Sequence, residues 1–372
     1  MEFYLRALER QWHAIGGEST VLYPRMRLGS IPFPGNLLHK LAGAIDKLVF
    51  FPFDLRREVR RLRRSGRPFV VHLIDQAYAN YCSHLQGVPH LVTCHDLLSL
   101  QASRGEIPEH QEPGHTRLYQ AMLLRGLQRA HHLVAVSATT AGVLGRLTGR
   151  EERDISTIYN DLHHPFSPMP PAEAAQRIGR LLGIATPPRF LLHVGINIWY
   201  KNRAGVLEIF SQLQQKYPDP GLHLIMVGHA LPPQLQSFVE SHGLADRVHV
   251  LSGIETEDLQ ALYSTAEALV FPSLYEGFGW PIIEAMACGC PVMTSNRPPM
   301  NEIGGTVATY IPPESPHVAA DIIHAAQTSP AAELRQRCQA HARQFAQGGM
   351  IASYRDLYVR LASQFRGRDS RP

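Results

Sequence analysis

The sequence predicts an α/β protein made of two doubly wound units in one chain. In both halves, short continuous apolar runs alternate with helix-like segments, and a proline-rich stretch separates the halves. Apolar runs of that length, bounded by glycine or polar residues, belong to parallel strands covered by helices on both faces. With 372 residues, 44% of them hydrophobic, the chain is long enough for two domains of ordinary size.

The first half opens on a helix. Leu5, Leu8, Trp12 and Ile15 recur at helical spacing before Gly16-Gly17. Val21–Tyr23 is a short strand candidate, and a second helix runs from Leu37 towards Phe50, apolar at Leu37, Leu38, Leu41, Ile45 and Val49. Buried-type strands follow at Phe69–Ile74, Leu91–Leu98 and Leu133–Ser137, the last leading into a helix through Leu147. His72, His95 and Ser137 fall at or near the carboxyl ends of these strands, where open α/β sheets bind ligands. Each is either a satisfied structural group or a ligand contact, and His95, in a polar His95-Asp96 pair, is the best placed.

Tyr159–Pro171 clusters prolines and turn residues, which marks a domain boundary. A short helix, Ala172–Leu182, leads into a second series of strands at Phe190–Gly195, Leu222–Gly228, Val248–Gly253 and Ala268–Phe271, with helices at Ala204–Gln214 and Pro233–His242 between them. We place the domains at 1–165 and 166–349, with a last helix over 350–366 whose Ile351, Tyr354, Leu357, Tyr358 and Leu361 share one face. Two such units put two sets of strand ends around one cleft. Neither half carries the G-x-G-x-x-G spacing of a nicotinamide dinucleotide site.

Composition narrows the class further. The formal charge of +4 says little by itself, but arginines at 56, 57, 60, 61, 63, 64 and 67 crowd one predicted helix with a lone Glu58 against them. This is either a solvated face screened by salt or an electrostatic footprint for an anionic membrane surface. No aromatic residues interleave with the arginines, so a nucleic-acid stacking platform is disfavoured. The five cysteines lie mostly inside apolar runs and lack zinc-site spacing, as in a reduced cytoplasmic protein. No apolar run reaches the roughly 18 residues that would span a bilayer, and the N-terminus lacks a signal-peptide core. The expected place is the cytoplasm, with peripheral attachment at the inner face of the membrane as the option the arginines open.

The most informative stretch is Phe271–Glu302. It runs strand, loop, helix, strand, with Gly277-Phe278-Gly279 in the loop and Pro281 in the first helical turn. Two carboxylates, Glu276 and Glu284, lie eight positions apart in it. By spacing alone they are surface residues or a ligand site. Lys201-Asn202 stands beyond the Gly195 turn at a helix start, where a lysine opposes the helix dipole unless an anion such as a diphosphate lies between them.

Taken together, these residues resemble the retaining nucleotide-sugar glycosyltransferases of family 4, the group 1 class with two Rossmann-like domains in the GT-B architecture. The E-x7-E pattern of Glu276 and Glu284, with Ala285–Gly289 and Pro291-Val292, is the specific part of the match. Gly195, Lys201-Asn202 and Ile225–Gly228 follow in the family's order. Thr93–Leu97, Ala135–Ser137 and Ile158–Asn160 resemble landmarks of its first half. Members open on a strand and a glycine-rich loop, whereas this chain opens on the following helix, so by this resemblance either its start is internal to the gene or the first strand and loop of the N-terminal domain are missing. Many relatives carry an arginine right after the Gly195 turn, where this chain has Ile196 and Asn197.

The resemblance implies transfer of a sugar, with retention, from a GDP-mannose-type or UDP-type donor to a hydroxyl of a glycan or lipid-linked acceptor, in cell-surface polysaccharide synthesis. Glu276 would engage the donor sugar, Glu284 the ribose, and the backbone of Gly277, Phe278 and Gly279 the sugar and phosphate. Lys201 would neutralise the leaving diphosphate, leaving no need for a metal or cofactor. Asn197, Asn202 and Gly195 would border the phosphates, Ser252 and Gly253 the base. His95 would reach the donor sugar from the first, acceptor-side domain, which the last helix would complete. The alternative is a non-catalytic sugar-nucleotide-binding or membrane-associated subunit. An epimerase is disfavoured by the E-x7-E pattern, and a phosphorylase by the lack of any lysine signal for pyridoxal phosphate.

Overall fold

The computed structural model describes residues 2–30, 36–110, 112–327 and 331–369. The chain divides into two compact units. The first comprises Met1–Val136, Thr140–Ile158 and Met350–Pro372; the second comprises Ser137–Thr139 and Tyr159–Gly349.

The first unit is built on a parallel sheet of four strands in the order β1 (Val71–Leu73), β2 (His90–Cys94), β3 (His132–Ala135), β4 (Ile155–Thr157). Leu91, Val92, Leu133 and Val134 are fully buried, which is why these strands read as unbroken apolar runs. The helix Glu2–Ala14 buries Tyr4, Leu5, Ala7 and Leu8, and the C-terminal helix Gly349–Asp369 buries Tyr354, Leu357 and Leu361. A hydrogen-bonded chain fastens both helices to the sheet. Tyr4 Oη meets Tyr354 Oη at 2.7 Å, Tyr354 meets Thr93 Oγ1 at 2.7 Å, and Thr93 meets His72 Nε2 at 2.7 Å. His72 Nδ1 ends the chain on Tyr358 Oη at 2.7 Å. Both nitrogens of His72 are thus satisfied, and burial pushes its pKa down to about 3, so it is a neutral structural group rather than a ligand contact.

One expectation for this unit is corrected. Val21–Tyr23 forms no strand: the run is short, Pro24 follows it, and no described strand pairs with it. The helix after it exists, as Asn36–Ile45 continued by a π-helical turn, Asp46–Phe50, and the helix Phe51–Arg64. Its apolar face is turned outward, however. Leu38, Leu41, Ile45 and Val49 are exposed, while Ala42 and Asp46 face in. Periodicity reports that a helix has an apolar face but not what lies against it.

The second unit carries six parallel strands in the order β10-β9-β8-β5-β6-β7. They are β5 (Arg189–Val194), β6 (Leu222–Val227), β7 (Val248–Leu251), β8 (Ala268–Phe271), β9 (Val292–Ser295) and β10 (Thr309–Ile311). From β5 the chain winds outward through β6 and β7, then returns to β8 beside β5 and winds the other way through β9 and β10. This is the doubly wound order of a Rossmann-like sheet, and its reversal lies between β5 and β8. The carboxyl ends of those two neighbours are thus the switch point of the sheet, the place where doubly wound sheets take their ligands. All five cysteines are free and buried, across both units.

Candidate functional site

The loops leaving β5 and β8 are tied together at this reversal. After Gly195 the chain makes a short helical turn, Trp199–Lys201, and Asn202 then adopts a left-handed backbone with φ 51°. Asn202 caps the helix Arg203–Lys216 by accepting a hydrogen bond from Gly205 N at 3.2 Å, and donates to Pro272 O at 3.1 Å. Leu274 N donates to Tyr200 O at 2.8 Å beside it. With the two backbones held so, Lys201 Nζ lies 2.7 Å from Glu276 Oε1, in a pair that is mostly buried. The anion beside Lys201 in this structure is therefore Glu276 itself. The ammonium also sits 5.1 Å from the centre of the Phe271 ring.

Past Glu276 the loop turns sharply. Gly277 O accepts a hydrogen bond from Ser137 Oγ at 2.8 Å, and Phe278 is buried against Tyr159 and Phe345. Gly279 has φ 97°, and a Cβ there would stand 3.2 Å from Ile282, so only glycine turns the chain into the helix Trp280–Ala287 without strain. One turn into that helix, Glu284 is only 5% exposed. Tyr263 Oη donates to its Oε2 at 2.9 Å, and His163 Nδ1 lies 3.3 Å from its Oε1. Burial raises the Glu284 pKa to about 7, against the opposing effects of the Tyr263 hydroxyl and Lys201.

The loop after β5 carries the remaining predicted residues. Gly195 N extends the ladder to Val227 O at 2.9 Å. Gly228 packs so tightly beneath it that a Cβ there would stand 2.1 Å from Gly195 O. The exposed Asn197 donates to Ala230 O at 2.7 Å and accepts from Arg203. Ser252 donates to Gly228 O at 2.6 Å, and Gly253 has φ 66° with open space around its Cα.

The structure thus brings Lys201, Glu276 and Asn202 together and puts Glu284 in the adjoining helix. Asn197, Ser252 and Gly253 lie past the ends of β5 and β7, and Asn197 and Ser252 are bonded to the loop after β6. His95 belongs to the first unit, just past β2. Its Nε2 donates to Ile74 O at 2.9 Å, its ring stands edge-on to Tyr4 at 4.6 Å, and burial holds its pKa below the usual histidine value. With the proton on Nε2, Nδ1 is left as the acceptor.

Three residues of this site were missed. Tyr263 and His163 hold Glu284, yet His163 lies in a segment taken for a linker and Tyr263 inside an ordinary helix. Arg203 opens the helix after Lys201 and is only 4% exposed. Its Nη1 donates to His229 O at 2.8 Å and to Asn197 Oδ1, while Nε and Nη2 have no partner among the described residues. Burial lowers its pKa. The signal that could have found it is a charged residue in an otherwise apolar first turn, where its position disfavours it electrostatically.

Two family models divide the chain between them. Residues 1–160 match Glycosyltransferase Family 4, and residues 177–345 match Glycosyl transferases group 1. The chain belongs to the family 4, group 1 glycosyltransferases. Among curated relatives of this family 4 chain, the O-antigen chain mannosyltransferase RfbU of Salmonella typhimurium is 28% identical over 197 residues. That alignment covers 53% of this chain and 51% of RfbU, so the chain spans about half the length of this relative.

Among solved structures, the sucrose-phosphate synthase of Thermosynechococcus elongatus aligns over 97% of this chain and 93% of its own, with TM-score 0.72 at 21% identity. HepE of Anabaena in complex with UDP aligns over 88% of this chain and 84% of its own, with TM-score 0.64 at 20% identity. These likenesses establish the GT-B fold class. Among the described residues, no helix is long and apolar enough to cross a membrane, and no group of three or more histidine, cysteine or acidic side chains could hold a metal ion.

Proposed function

We propose that this chain is a retaining glycosyltransferase that moves a sugar from a nucleoside-diphosphate sugar to a hydroxyl of a glycan or lipid-linked acceptor, in cell-surface polysaccharide synthesis. The observation that carries this is the Lys201–Glu276 pair at the reversal between β5 and β8, with the buried Glu284 in the helix that follows. Such a switch point is where a doubly wound sheet takes a nucleotide. RfbU is a mannosyltransferase by its name and the HepE structure contains UDP, so GDP-mannose and UDP-sugars are the donors to test first.

In this reading the second unit binds the donor, and the first, with the C-terminal helix that belongs to it, handles the acceptor. Glu284, steered by Tyr263 and His163, accepts hydrogen bonds from the ribose. The donor enters between Lys201 and Glu276 and takes over their pairing: Glu276 accepts from hydroxyls of the transferred sugar, and Lys201 turns to the diphosphate. Arg203, two residues on, adds a second positive charge, with Nε and Nη2 unpaired among the described residues. As the anomeric carbon–oxygen bond breaks, charge grows on the diphosphate, and fixed cations stabilise that transition state without a metal. The acceptor oxygen takes the anomeric carbon, and its proton leaves with the diphosphate. His95 contacts the donor sugar in this reading. We further propose a cytoplasmic protein whose first unit meets an anionic membrane surface.

The test is a thermal-shift screen of nucleotide sugars and free nucleoside diphosphates with chelator present. A cognate donor at 100 times its dissociation constant should add about 2.7 kcal/mol to stability. An NMR spectrum of the product would then report the anomeric configuration. Inversion, or loss of activity on chelation restored by a divalent ion, would overturn the mechanism; stabilisation without turnover on any acceptor would favour the non-catalytic subunit.

A further inference from the structure

Residues 36–64 form one continuous helical segment that shows water a surface no soluble fold requires. Its rotation about its own axis is fixed from the inside. The fully buried Asp46 carboxylate accepts hydrogen bonds from Gly29 N at 2.8 Å and Leu28 N at 3.0 Å. Lys47 O accepts from Tyr81 Oη at 3.0 Å, and Arg27 grips Asp54 at 2.8 Å. Phe51, Leu55 and Val59 complete the inner face. The outer face is left with Leu38, Leu41, Ile45, Leu48 and Val49, followed by Phe53, which is 62% exposed.

The arginines that follow fall into two groups. Arg61 pairs with Glu58, Arg63 donates to Gly87 O, and Arg56 lies 2.9 Å from His84 Nδ1. Arg57, Arg60 and Arg64 have no ion pair or hydrogen bond among the described residues, and they follow Phe53 at steps of four, three and four, the spacing of a single helix stripe. An apolar ridge continues directly into a stripe of one sign of charge.

We propose that this segment lies in the interface of an anionic membrane, the ridge from Leu38 to Phe53 entering the acyl boundary and Arg57, Arg60 and Arg64 meeting the headgroups. This deepens the membrane partner proposed above and moves its weight from the arginine cluster as a whole to the ridge and three arginines. A bilayer offers an apolar phase and negative charge within a few ångströms of each other, which a nucleic acid does not.

Co-sedimentation with phosphatidylcholine vesicles, with and without phosphatidylglycerol, tests this using the full chain, its Leu41→Ser/Leu48→Ser variant and its Arg57→Gln/Arg60→Gln/Arg64→Gln variant. All the altered side chains are solvent-exposed, and circular dichroism confirms that the variants fold. The wild type should bind the anionic vesicles. The leucine variant should lose roughly 100-fold at low and high salt alike, and the arginine variant on the order of 100-fold at low salt only. No binding by the wild type, or a leucine variant that binds undiminished, overturns the proposal. So does a wild-type dimer in light scattering that the leucine variant converts to monomer. Binding of UDP and GDP is measured on the same samples. Vesicle binding without nucleotide binding would contradict the transferase reading alone, and nucleotide binding without vesicle binding would contradict the surface alone.

Discussion

Glu276 and Glu284, the two carboxylates of one motif, stand in different electrostatic settings, and that difference sets their predicted behaviour. Glu276 is paired with Lys201, so Glu276→Gln, which still accepts from the ammonium, should leave the melting temperature within a few degrees while lowering turnover at least about 100-fold. Circular dichroism and rate measurements on the same sample check this. Glu284 has a pKa raised from 4.5 to about 7, so its neutral form is the one folding favours. The stability this group contributes is fully present below about pH 4.5 and is lost as pH rises through about 7. Ribose binding has the opposite sign, because only the ionised carboxylate accepts from both hydroxyls. Nucleotide affinity should therefore rise between pH 6 and 8 more steeply in the wild type than in Glu284→Gln, measured by calorimetry. Equal slopes would mean that Glu284 does not titrate in this range. Glu276 and Glu284 were readable as a pair because their spacing along one loop and helix is local, and Lys201, 75 positions before Glu276, stood out by its own place at a helix start. Tyr263 and His163 were not, since they reach Glu284 only through the fold, from 21 and 121 positions away.

Close approach of backbones fixes the site among the elements. Gly228 sits where a Cβ would meet Gly195 O, so Gly228→Ala should force β5 and β6 apart at their carboxyl ends. The expected cost is about 1–3 kcal/mol with weakened nucleotide binding. Gly142→Ala, in the helix Ala138–Thr148 with open space around it, should instead raise stability by about 0.5–1 kcal/mol. Urea titration of both variants checks the pair. The long apolar runs of β2, β3, β5 and β6 were readable as buried strands. β4 and β10 carry only three residues each, too few for a pattern to show, and they exist by pairing with β3 and β9. The helix Arg117–Arg129 was passed over as well, though its Leu123 and Leu127 are buried. The segment 36–50 is helical and apolar at helical spacing, as expected, and the structure adds that its apolar residues meet water.

For the whole molecule, the chain leaves the first unit at Ile158 and returns at Met350. The returning helix is bound by the Tyr4–Tyr354–Thr93 chain and by buried Leu357 and Leu361. Tyr354→Phe should cost about 1–3 kcal/mol, because buried partners at Tyr4 and Thr93 lose a hydrogen bond. Deleting residues 350–372 should remove or lower the melting transition of the first unit while a nucleotide-stabilised transition of the second remains, as scanning calorimetry would show. A single transition lowered as a whole would mean that the two units unfold as one. That the second half was the more legible follows from what it does: its loops carry motif residues at fixed offsets, whereas the first half is held by tyrosine and histidine contacts scattered through the sequence.

The most direct measurement for this account is release of nucleoside diphosphate from a panel of nucleotide sugars in the presence of acceptor glycans, with Glu276→Gln and Lys201→Ala beside the wild type. The account predicts one preferred donor, with release at least about 100-fold slower in Glu276→Gln at retained nucleotide affinity, and weakened nucleotide binding in Lys201→Ala. Equal release by wild type and Glu276→Gln, or nucleotide affinity unchanged by Lys201→Ala, would contradict it.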